Sequence, residues 1–157
     1  RLGRGNMSTT VATPTNLLGL TGESLGATEW ITITQHAVNT FGRVTGDEQW
    51  IHCDVERALS GPFGGPIAHG YLSLSLVGPL FAELLTVENA SMVVNYGLDR
   101  VRFPAPVPVG SRVRLTSTVA EVTEVNGAVQ LVADATVEVE GATKPVCVAR
   151  LVYRFFG

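Results

Sequence analysis

The spacing of apolar residues along the chain changes near residue 90. Before that point two stretches show helical spacing. The first follows Thr34, a residue typical of helix N-caps, and ends at Gly46, which can adopt the left-handed conformation that terminates helices. The second covers residues 71–85 and is apolar on nearly every side, which is typical of a buried helix. Pro79 predicts a bend or a break within it.

Strands predominate after residue 90. The segments rich in β-branched residues are 91–96, 99–103, 112–121, 129–140 and 145–155. Turns are predicted at Asn126-Gly127 and Glu140-Gly141. Residues 103–110 contain three prolines, which donate no backbone hydrogen bond, so we expect a stiff connector there rather than a central strand.

The remaining segments complete the predicted order of elements. Residues 8–24, rich in Thr, Ser, Gly and Asn, predict an irregular entry segment, and residues 28–33 predict a strand. Asp54 can cap a short helix over residues 55–59. An early strand, helices, one buried helix and then long antiparallel strands predict an α+β hot-dog fold, in which the sheet wraps a long central helix on all sides together with neighbouring helices.

Composition narrows the classes of function. The chain has 157 residues, 45% of them hydrophobic, which favours a single domain over residues 7–157. Residues 1–6 precede Met7 and look like an expression-tag remnant. The net charge of −3 without a basic run argues against nucleic acid or an anionic membrane as a partner. Two cysteines and no apolar run of roughly 18 residues favour a cytoplasmic protein with reduced thiols.

Two polar segments interrupt the apolar pattern and contain the candidate chemistry. The first is Thr-Gly-Asp-Glu-Gln-Trp-Ile-His-Cys-Asp over residues 45–54, and the second is Gly-Pro-Ile-Ala-His-Gly-Tyr over residues 65–71. Asp47 follows the predicted end of the first helix, and His52 lies five residues later. A carboxylate and an imidazole on one loop can both bind a single water molecule. Gly70 opens the buried helix, where its backbone N–H has no partner within the helix and the helix dipole favours negative charge.

These segments resemble the motifs of the MaoC-like (R)-specific enoyl-CoA hydratases. That family has Gly-Asp, an Asn-Pro-containing spacer, an aliphatic residue, His, one residue and then Asp or Asn, which matches Gly46, Asp47, Ile51, His52 and Asp54. A second family motif, Ile-Ala-His-Gly, matches residues 67–70. The likeness is closest to small actinobacterial single-hot-dog hydratases, extends through residues 95–97 and 101–110, and covers roughly residues 26–155. Gln49-Trp50 stands where the family usually has Asn-Pro, although the spacing from Asp to His is kept.

The resemblance implies an enzyme of fatty-acid metabolism that adds water to a trans-2-enoyl-CoA, giving (R)-3-hydroxyacyl-CoA, or that catalyses the reverse dehydration. It assigns the acid–base roles to Asp47 and His52, and it assigns binding of the thioester oxygen to the N–H of Gly70. We expect an acyl-CoA thioester as the substrate and no cofactor. The histidines and Cys53 lack a standard zinc-ligand spacing, so we expect no metal either.

The substrate site is expected to include residues from several predicted elements: Phe41, Ile67, His69, Leu74 and Val77. His69 has a second interpretation, in which it fixes the loop before the buried helix by hydrogen bonding its neighbours. Ser73 and Ser75 can bind substrate or bond back to the preceding helical turn. The basic residues Arg100, Arg102, Arg112 and Lys144 can anchor the CoA phosphates or act as solvated surface charges.

Other functions and an oligomeric state follow from the same pattern. A hot-dog thioesterase would share the fold, but such enzymes generally place a carboxylate on the central helix, where this chain has only Glu83 near the far end. A non-catalytic acyl-thioester-binding subunit is the second alternative. Cys53 follows His52 directly and, on an extended segment, would point away from it. Because a hot-dog sheet leaves an edge strand exposed, we expect a homodimer paired through the sheet edges.

Overall fold

An antiparallel sheet of six strands is the main element of the computed structural model, which describes residues 8–157. The interpretation of residues 1–6 lies outside the described residues. The helices are α1 (Gln35–Thr45), α2 (Trp50–Cys53), α3 (Val55–Leu59) and α4 (Gly70–Leu84), and a 3-10 helix covers Pro14–Leu20. The strands are β1 (Thr9–Val11), β2 (Ser24–Ala27), β3 (Ile31–Thr32), β4 (Leu85–Val87), β5 (Met92–Arg102), β6 (Arg112–Val125), β7 (Ala128–Val139) and β8 (Cys147–Phe156).

The strand order in the sheet is β2-β6-β7-β8-β5, and β3 also pairs with β6. All of these pairings are antiparallel. Inward-facing residues of β6, β7 and β8 alternate with outward-facing ones and pack against α4, as in the fully buried Leu115 and Leu131. This arrangement confirms the predicted α+β hot-dog fold.

The local signals for the first helices are confirmed. The Thr34 side chain accepts a hydrogen bond of 3.1 Å from the N–H of Ala37, so it caps α1. Gly46 ends the helix with a φ of 82°, a conformation that favours glycine. Asp54 caps α3 by accepting a bond of 3.1 Å from the N–H of Arg57.

The central helix α4 departs from its prediction in two ways. It runs without interruption through Pro79, so the break considered there does not occur. Pro79 has no N–H to donate to the carbonyl of Ser75, four residues earlier. Both residues are exposed, so water can bind that carbonyl instead. The helix is also not covered on all sides, because Tyr71 is 72% exposed and lies on the same uncovered face. Its other face is buried against the sheet through Leu72, Val77, Leu80, Phe81 and Leu84.

The amino-terminal region is more ordered than predicted. Residues 8–24 contain β1 and the 3-10 helix, and β2 begins at Ser24, where an irregular segment was expected. Of the strand predicted over residues 28–33, only Ile31–Thr32 forms a strand, β3. The pairing partners explain the difference, since β1 pairs in parallel with β4 and β2 pairs with β6, both far away in the sequence.

The carboxy-terminal strands agree better with the prediction. The segments 91–96 and 99–103 form one strand, β5, with register shifts between Asn95 and Gly97 and between Leu98 and Arg100. The turn at Asn126-Gly127 joins β6 to β7, and Gly127 has a φ of 78°. Residues 103–110 form the expected connector, which is tied to the segment before α4 by a bond of 2.8 Å from the Ala68 N–H to the Val107 carbonyl.

Cys53 and Cys147 are both free thiols. None of the helices in the described part of the chain has the length and apolar character that a membrane crossing would require.

Thr28 provides a test of how the amino-terminal region is held. Its buried hydroxyl accepts a hydrogen bond of 3.0 Å from the N–H of Leu115 in β6. Thr28→Val leaves this N–H without a partner, and we expect the free energy of unfolding to fall by about 1–3 kcal/mol. Urea denaturation measures the change. Thr118→Val, at an exposed position of β6, is the control and should change stability by less than about 0.5 kcal/mol.

Candidate active site

The first polar segment links three helices. Asp47 is exposed and lies between the end of α1 and the start of α2, and its N–H donates to the Thr45 hydroxyl at 3.3 Å. His52 lies on α2 and is only 7% exposed. The segment around His52 and Cys53 is helical rather than extended, so the reason given for separating these side chains was wrong. Adjacent helical side chains still diverge, because a helix turns by about 100° per residue.

His52 is oriented by the segment that precedes α4. Its Nδ1 lies 2.6 Å from the backbone carbonyl oxygen of Ile67. Because a carbonyl oxygen only accepts, Nδ1 carries the proton of the neutral ring, and Nε2 is left unprotonated. The N–H of Ile67 in turn donates to the carbonyl of Ile51 at 3.0 Å, so the two polar segments are paired at this point. The arrangement gives His52 a free nitrogen that can accept a proton.

Burial lowers the pKa of His52 below its ordinary value, and the neighbouring His69 lowers it further. The hydrogen bond to the Ile67 carbonyl and the charge of Asp47 act in the opposite direction but are outweighed. The neutral imidazole is therefore favoured near neutral pH, as a proton acceptor requires.

His69 connects the parts of the site. It is 2% exposed, and its Nε2–H donates to the backbone carbonyl of Asp47 at 2.8 Å. Its ring stacks on His52 with centroids 3.9 Å apart and contacts the ring of Phe41 at 4.9 Å. Its Nδ1 is buried and has no hydrogen-bond partner among residues 8–157. His69 also directly precedes Gly70, so one side chain links the Asp47 loop, the His52 ring and the start of α4.

Three polar side chains of the two segments lie close together. Ligand atoms of Asp47, His52 and His69 all lie within 4.8 Å of one another. Such a set has the donor types of a metal site, but one nitrogen of each ring already bonds a carbonyl and the rings are stacked face to face. The expectation of no metal stays a prediction.

Gly70 lies at the first position of α4, where the backbone N–H has no partner within the helix. The ring of Phe103 packs against it, and a Cβ on Gly70 would lie 3.2 Å from that ring. Glycine therefore allows both the aromatic contact and the approach of a ligand to the backbone.

A cavity of about 290 Å³ opens beside His52 and Gly70, and neither Asp47 nor His69 is among its lining residues. Its lining includes His52, Phe63, Ile67, Gly70, Ser73 and Phe103. A carbonyl oxygen placed near the Gly70 N–H would thus share one cavity with the imidazole of His52. The cavity can hold a small polar group of a substrate beside apolar and aromatic walls.

Three of the five predicted substrate residues line one of two cavities. Ile67 lines the cavity with His52, whereas His69 and Phe41, whose rings contact each other at 4.9 Å, line neither cavity. Leu74 and Val77 line a neighbouring cavity of about 210 Å³ along α4. Phe63 and Phe103 also line the cavity but were not predicted as site residues, because Phe63 lies in a segment rich in glycine and proline and Phe103 at the end of the predicted strand 99–103.

The structure also locates the two serines and two of the arginines considered from the sequence. Ser75 bonds back to the Tyr71 carbonyl at 2.7 Å, whereas the buried Ser73 lines the cavity. Arg112 forms an ion pair with Glu140 on the sheet face, which agrees with a surface charge. Arg100 lies in a surface depression with Asp134 and Arg150.

Comparisons with known proteins assign the chain to a family. A family model described as "MaoC like domain" matches residues 17–141. The chain belongs to the MaoC-like family. The 3-hydroxyacyl-thioester dehydratase Z of Mycobacterium tuberculosis is 52% identical over 141 residues, which cover 89% of this chain and 93% of that protein. Nodulation protein N of Rhizobium leguminosarum is 44% identical over 132 residues, or 82% of this chain and 81% of that protein.

Solved structures show the same MaoC-like fold. The (R)-hydratase from A. caviae superimposes with a TM-score of 0.69 at 21% identity, covering 85% of this chain and 94% of that one. A monoamine oxidase regulatory protein from Archaeoglobus reaches a TM-score of 0.76 at 23% identity, covering 96% of this chain and 99% of that one. These likenesses confirm the fold.

The environment of His52 predicts a measurable titration. We expect NMR of the imidazole, assigned with His52→Gln, to give a protonation midpoint below about 6.5. As pH falls from about 6.5 toward that lower pKa, the unfolded chain takes up a proton that the folded protein does not bind. This histidine therefore makes the free energy of unfolding decrease as the pH falls through that interval. A midpoint at or above 6.5 would contradict the described burial.

Proposed function

We propose that this MaoC-like protein is an (R)-specific enoyl-CoA hydratase. It adds water to a trans-2-enoyl-CoA to form (R)-3-hydroxyacyl-CoA, or catalyses the reverse dehydration, in fatty-acid metabolism. The observation that carries the proposal is that the Asp47 carboxylate lies close to the imidazole of His52, and that His52 lines the same cavity as Gly70. A relative that is 52% identical and named a 3-hydroxyacyl-thioester dehydratase supports the same class of reaction.

In the proposed mechanism one water molecule lies between the carboxylate of Asp47 and Nε2 of His52. The pair removes a proton from this water while its oxygen bonds to C3 of the enoyl group. The electron pair of the double bond moves toward the thioester, and the resulting enolate oxygen is bound by the N–H of Gly70. A proton returned to C2 completes the addition, so no net proton is gained or lost.

Gly70 suits the enolate for electrostatic reasons. The start of α4 presents an N–H without a helical partner together with the positive end of the helix dipole. Removal of one such donor from an oxyanion site typically lowers kcat by about 10²–10³-fold. The Phe103 ring beside Gly70 limits the access of water to this donor.

His69 has a supporting role in this proposal. Its bond to the Asp47 carbonyl fixes the loop, and its stacking fixes the plane of His52. Ile67 contacts the reacting end of the substrate from the cavity wall. Leu74 and Val77 receive the acyl chain in the neighbouring cavity, and Phe41 supports His69 from behind.

The thioesterase alternative has less support. The acidic residue of α4, Glu83, is exposed and is not among the side chains that lie together with His52. A hydrolase would need its carboxylate near the thioester carbon instead. The carboxylate that does lie near His52 is that of Asp47.

The proposed reaction is tested by replacing one carboxylate and sparing its neighbour. Crotonyl-CoA is mixed with the wild type, with Asp47→Asn, and with the control Glu48→Gln, which neutralises the adjacent exposed acid. We expect loss of the enoyl absorbance with the wild type and the control, and a kcat lower by about 10²–10⁴-fold for Asp47→Asn. Affinity for the saturated butyryl-CoA should persist in all three.

Other outcomes have distinct meanings. Release of free CoA thiol by the wild type would replace the hydratase with a thioesterase. Binding of butyryl-CoA without any turnover by the wild type, also with longer enoyl chains, would support the non-catalytic subunit. Full activity of Asp47→Asn would remove that residue from the mechanism.

We also propose that two copies of this chain form a homodimer through β5. This strand lies at an end of the strand order of the main sheet, so its outer backbone groups lack a strand partner among the described residues. It also exposes large apolar side chains: Met92, Val93, Tyr96 and Leu98. Antiparallel pairing of β5 with its symmetry mate would cover the backbone groups and bury these side chains. One domain over residues 7–157, a cytoplasmic location and the absence of a cofactor stay predictions.

The dimer is tested by placing charges on β5. Sedimentation analysis should give about twice the monomer mass for the wild type and one monomer mass for the double variant Val93→Lys, Leu98→Lys, because two copies would then bring like charges together. Val44→Lys, at an exposed position of α1, is the matched control and should stay dimeric. A monomeric wild type at micromolar concentration would refute the β5 interface.

A further inference from the structure

Trp50 stands where the family motif usually has proline, and its ring packs against two residues beyond its own helix. The guanidinium carbon of Arg57 lies 4.4 Å from the centroid of the Trp50 ring, at cation–π distance. A Cβ added to Gly61 would lie 2.9 and 3.1 Å from atoms Cζ3 and Cη2 of that ring. Trp50 thus packs directly on the backbone at Gly61, two residues after α3.

Gly61 belongs to a short segment, residues 60–65, that we call the Phe63 loop. The Gly61 N–H bonds the Ala58 carbonyl at 3.0 Å, and the Gly64 N–H bonds the Gly61 carbonyl at 3.2 Å. Gly64 has a φ of 70°, so the loop turns sharply there. The ring of Phe63 is 49% exposed and lines the cavity that contains His52 and Gly70.

These contacts connect the reacting loop to the cavity wall. Trp50 lies two residues before His52 on the same helix, and its ring contacts the loop that carries Phe63. The orientation of His52 depends on its hydrogen bond to the Ile67 carbonyl, and Trp50 takes no part in that bond. Loss of the Trp50 ring should therefore release the loop and leave the hydrogen bond of the imidazole in place.

We propose that Trp50 is a positioning residue that holds the Phe63 loop against α2, so that Phe63 forms a fixed aromatic wall for the acyl thioester. The role rests on the proposed function, because it concerns the substrate of that reaction. A wall that is ordered before binding spares the substrate the entropy of ordering the loop. Loss of Trp50 should therefore raise KM, whereas kcat depends on Asp47, His52 and Gly70.

Gly61 provides an independent way to break the same contact. A methyl group at 2.9 Å from the indole requires the ring or the loop to shift, so Gly61→Ala breaks the present contact between them while the indole is retained. Trp50→Phe keeps an aromatic ring at this position and should restore part of the contact that Trp50→Ala removes.

The test compares Trp50→Ala, Gly61→Ala, Phe63→Ala, Trp50→Phe and the double variant Trp50→Ala, Phe63→Ala. Trp30→Ala is the matched control, since Trp30 is also half-buried beneath an arginine, Arg114 at 4.5 Å, and does not line the cavity. Hydrogen exchange of the amides in residues 60–65 and steady-state kinetics with crotonyl-CoA are the readouts.

In Trp50→Ala and Gly61→Ala we expect exchange in residues 60–65 to accelerate by about tenfold and KM to rise by about tenfold, with kcat changed less than about threefold. Trp50→Phe should lie between wild type and Trp50→Ala. The double variant should have the KM of the single variants, because residues that act through one another have non-additive effects. Trp30→Ala should leave both readouts at wild-type values.

Unchanged exchange in residues 60–65 of Trp50→Ala would overturn the anchoring of the loop. Faster exchange with an unchanged KM, or a double variant whose effects multiply, would overturn the role in substrate binding. If the wild type has no turnover at all, the proposed function fails. The dissociation constant of butyryl-CoA, measured by calorimetry, then takes the place of KM. The variants should change it as described above for KM if Trp50 has the proposed role.

Discussion

The hydrogen bond from His69 to the backbone carbonyl of Asp47 is the constraint on which the candidate active site depends. It spans 22 residues of sequence and joins the loop after α1 to the residue just before α4. The same imidazole stacks on His52 and directly precedes Gly70, so one buried side chain connects the Asp47 loop, the His52 ring and the start of α4.

The rest of the fold makes that constraint effective. Burial of α4 against β6, β7 and β8 fixes the helix, and with it the orientation of the Gly70 N–H. Two backbone hydrogen bonds join the connector after β5 to the segment before α4. The Ala68 N–H donates to the Val107 carbonyl, and the Val109 N–H donates to the Pro66 carbonyl. Because these bonds hold residues 66–68 in place, the Ile67 carbonyl can orient His52. The chemistry therefore rests on backbone groups that the sheet and the central helix position.

Much of the fold was predictable because its signals are local. The caps at Thr34, Gly46 and Asp54 each involve residues within four positions of one another, and the hairpin at Gly127 follows from its turn residues. The strands β1 and β2 were missed because their partners, β4 and β6, lie far away in the sequence. The helix α4 continues through Pro79 because that face of the helix is exposed to solvent. The many apolar residues of the helix had predicted burial on all sides instead.

The site shows the same division between local and distant signals. Family motifs indicated Asp47, His52 and Gly70, and the resemblance to MaoC-like proteins is confirmed. The stacking of His52 on His69, and the packing of Trp50 on Gly61, are tertiary contacts between motifs and loops that no spacing rule describes. Neither motif predicted that Phe63 and Phe103, from two separate loops, would line one cavity.

The most direct measurement is product analysis after incubation of the wild type with crotonyl-CoA in ¹⁸O-labelled water. The account predicts 3-hydroxybutyryl-CoA of (R) configuration with one labelled oxygen at C3, identified by chiral chromatography and mass spectrometry. A product of (S) configuration, or label found in a free carboxylate beside released CoA, would contradict it.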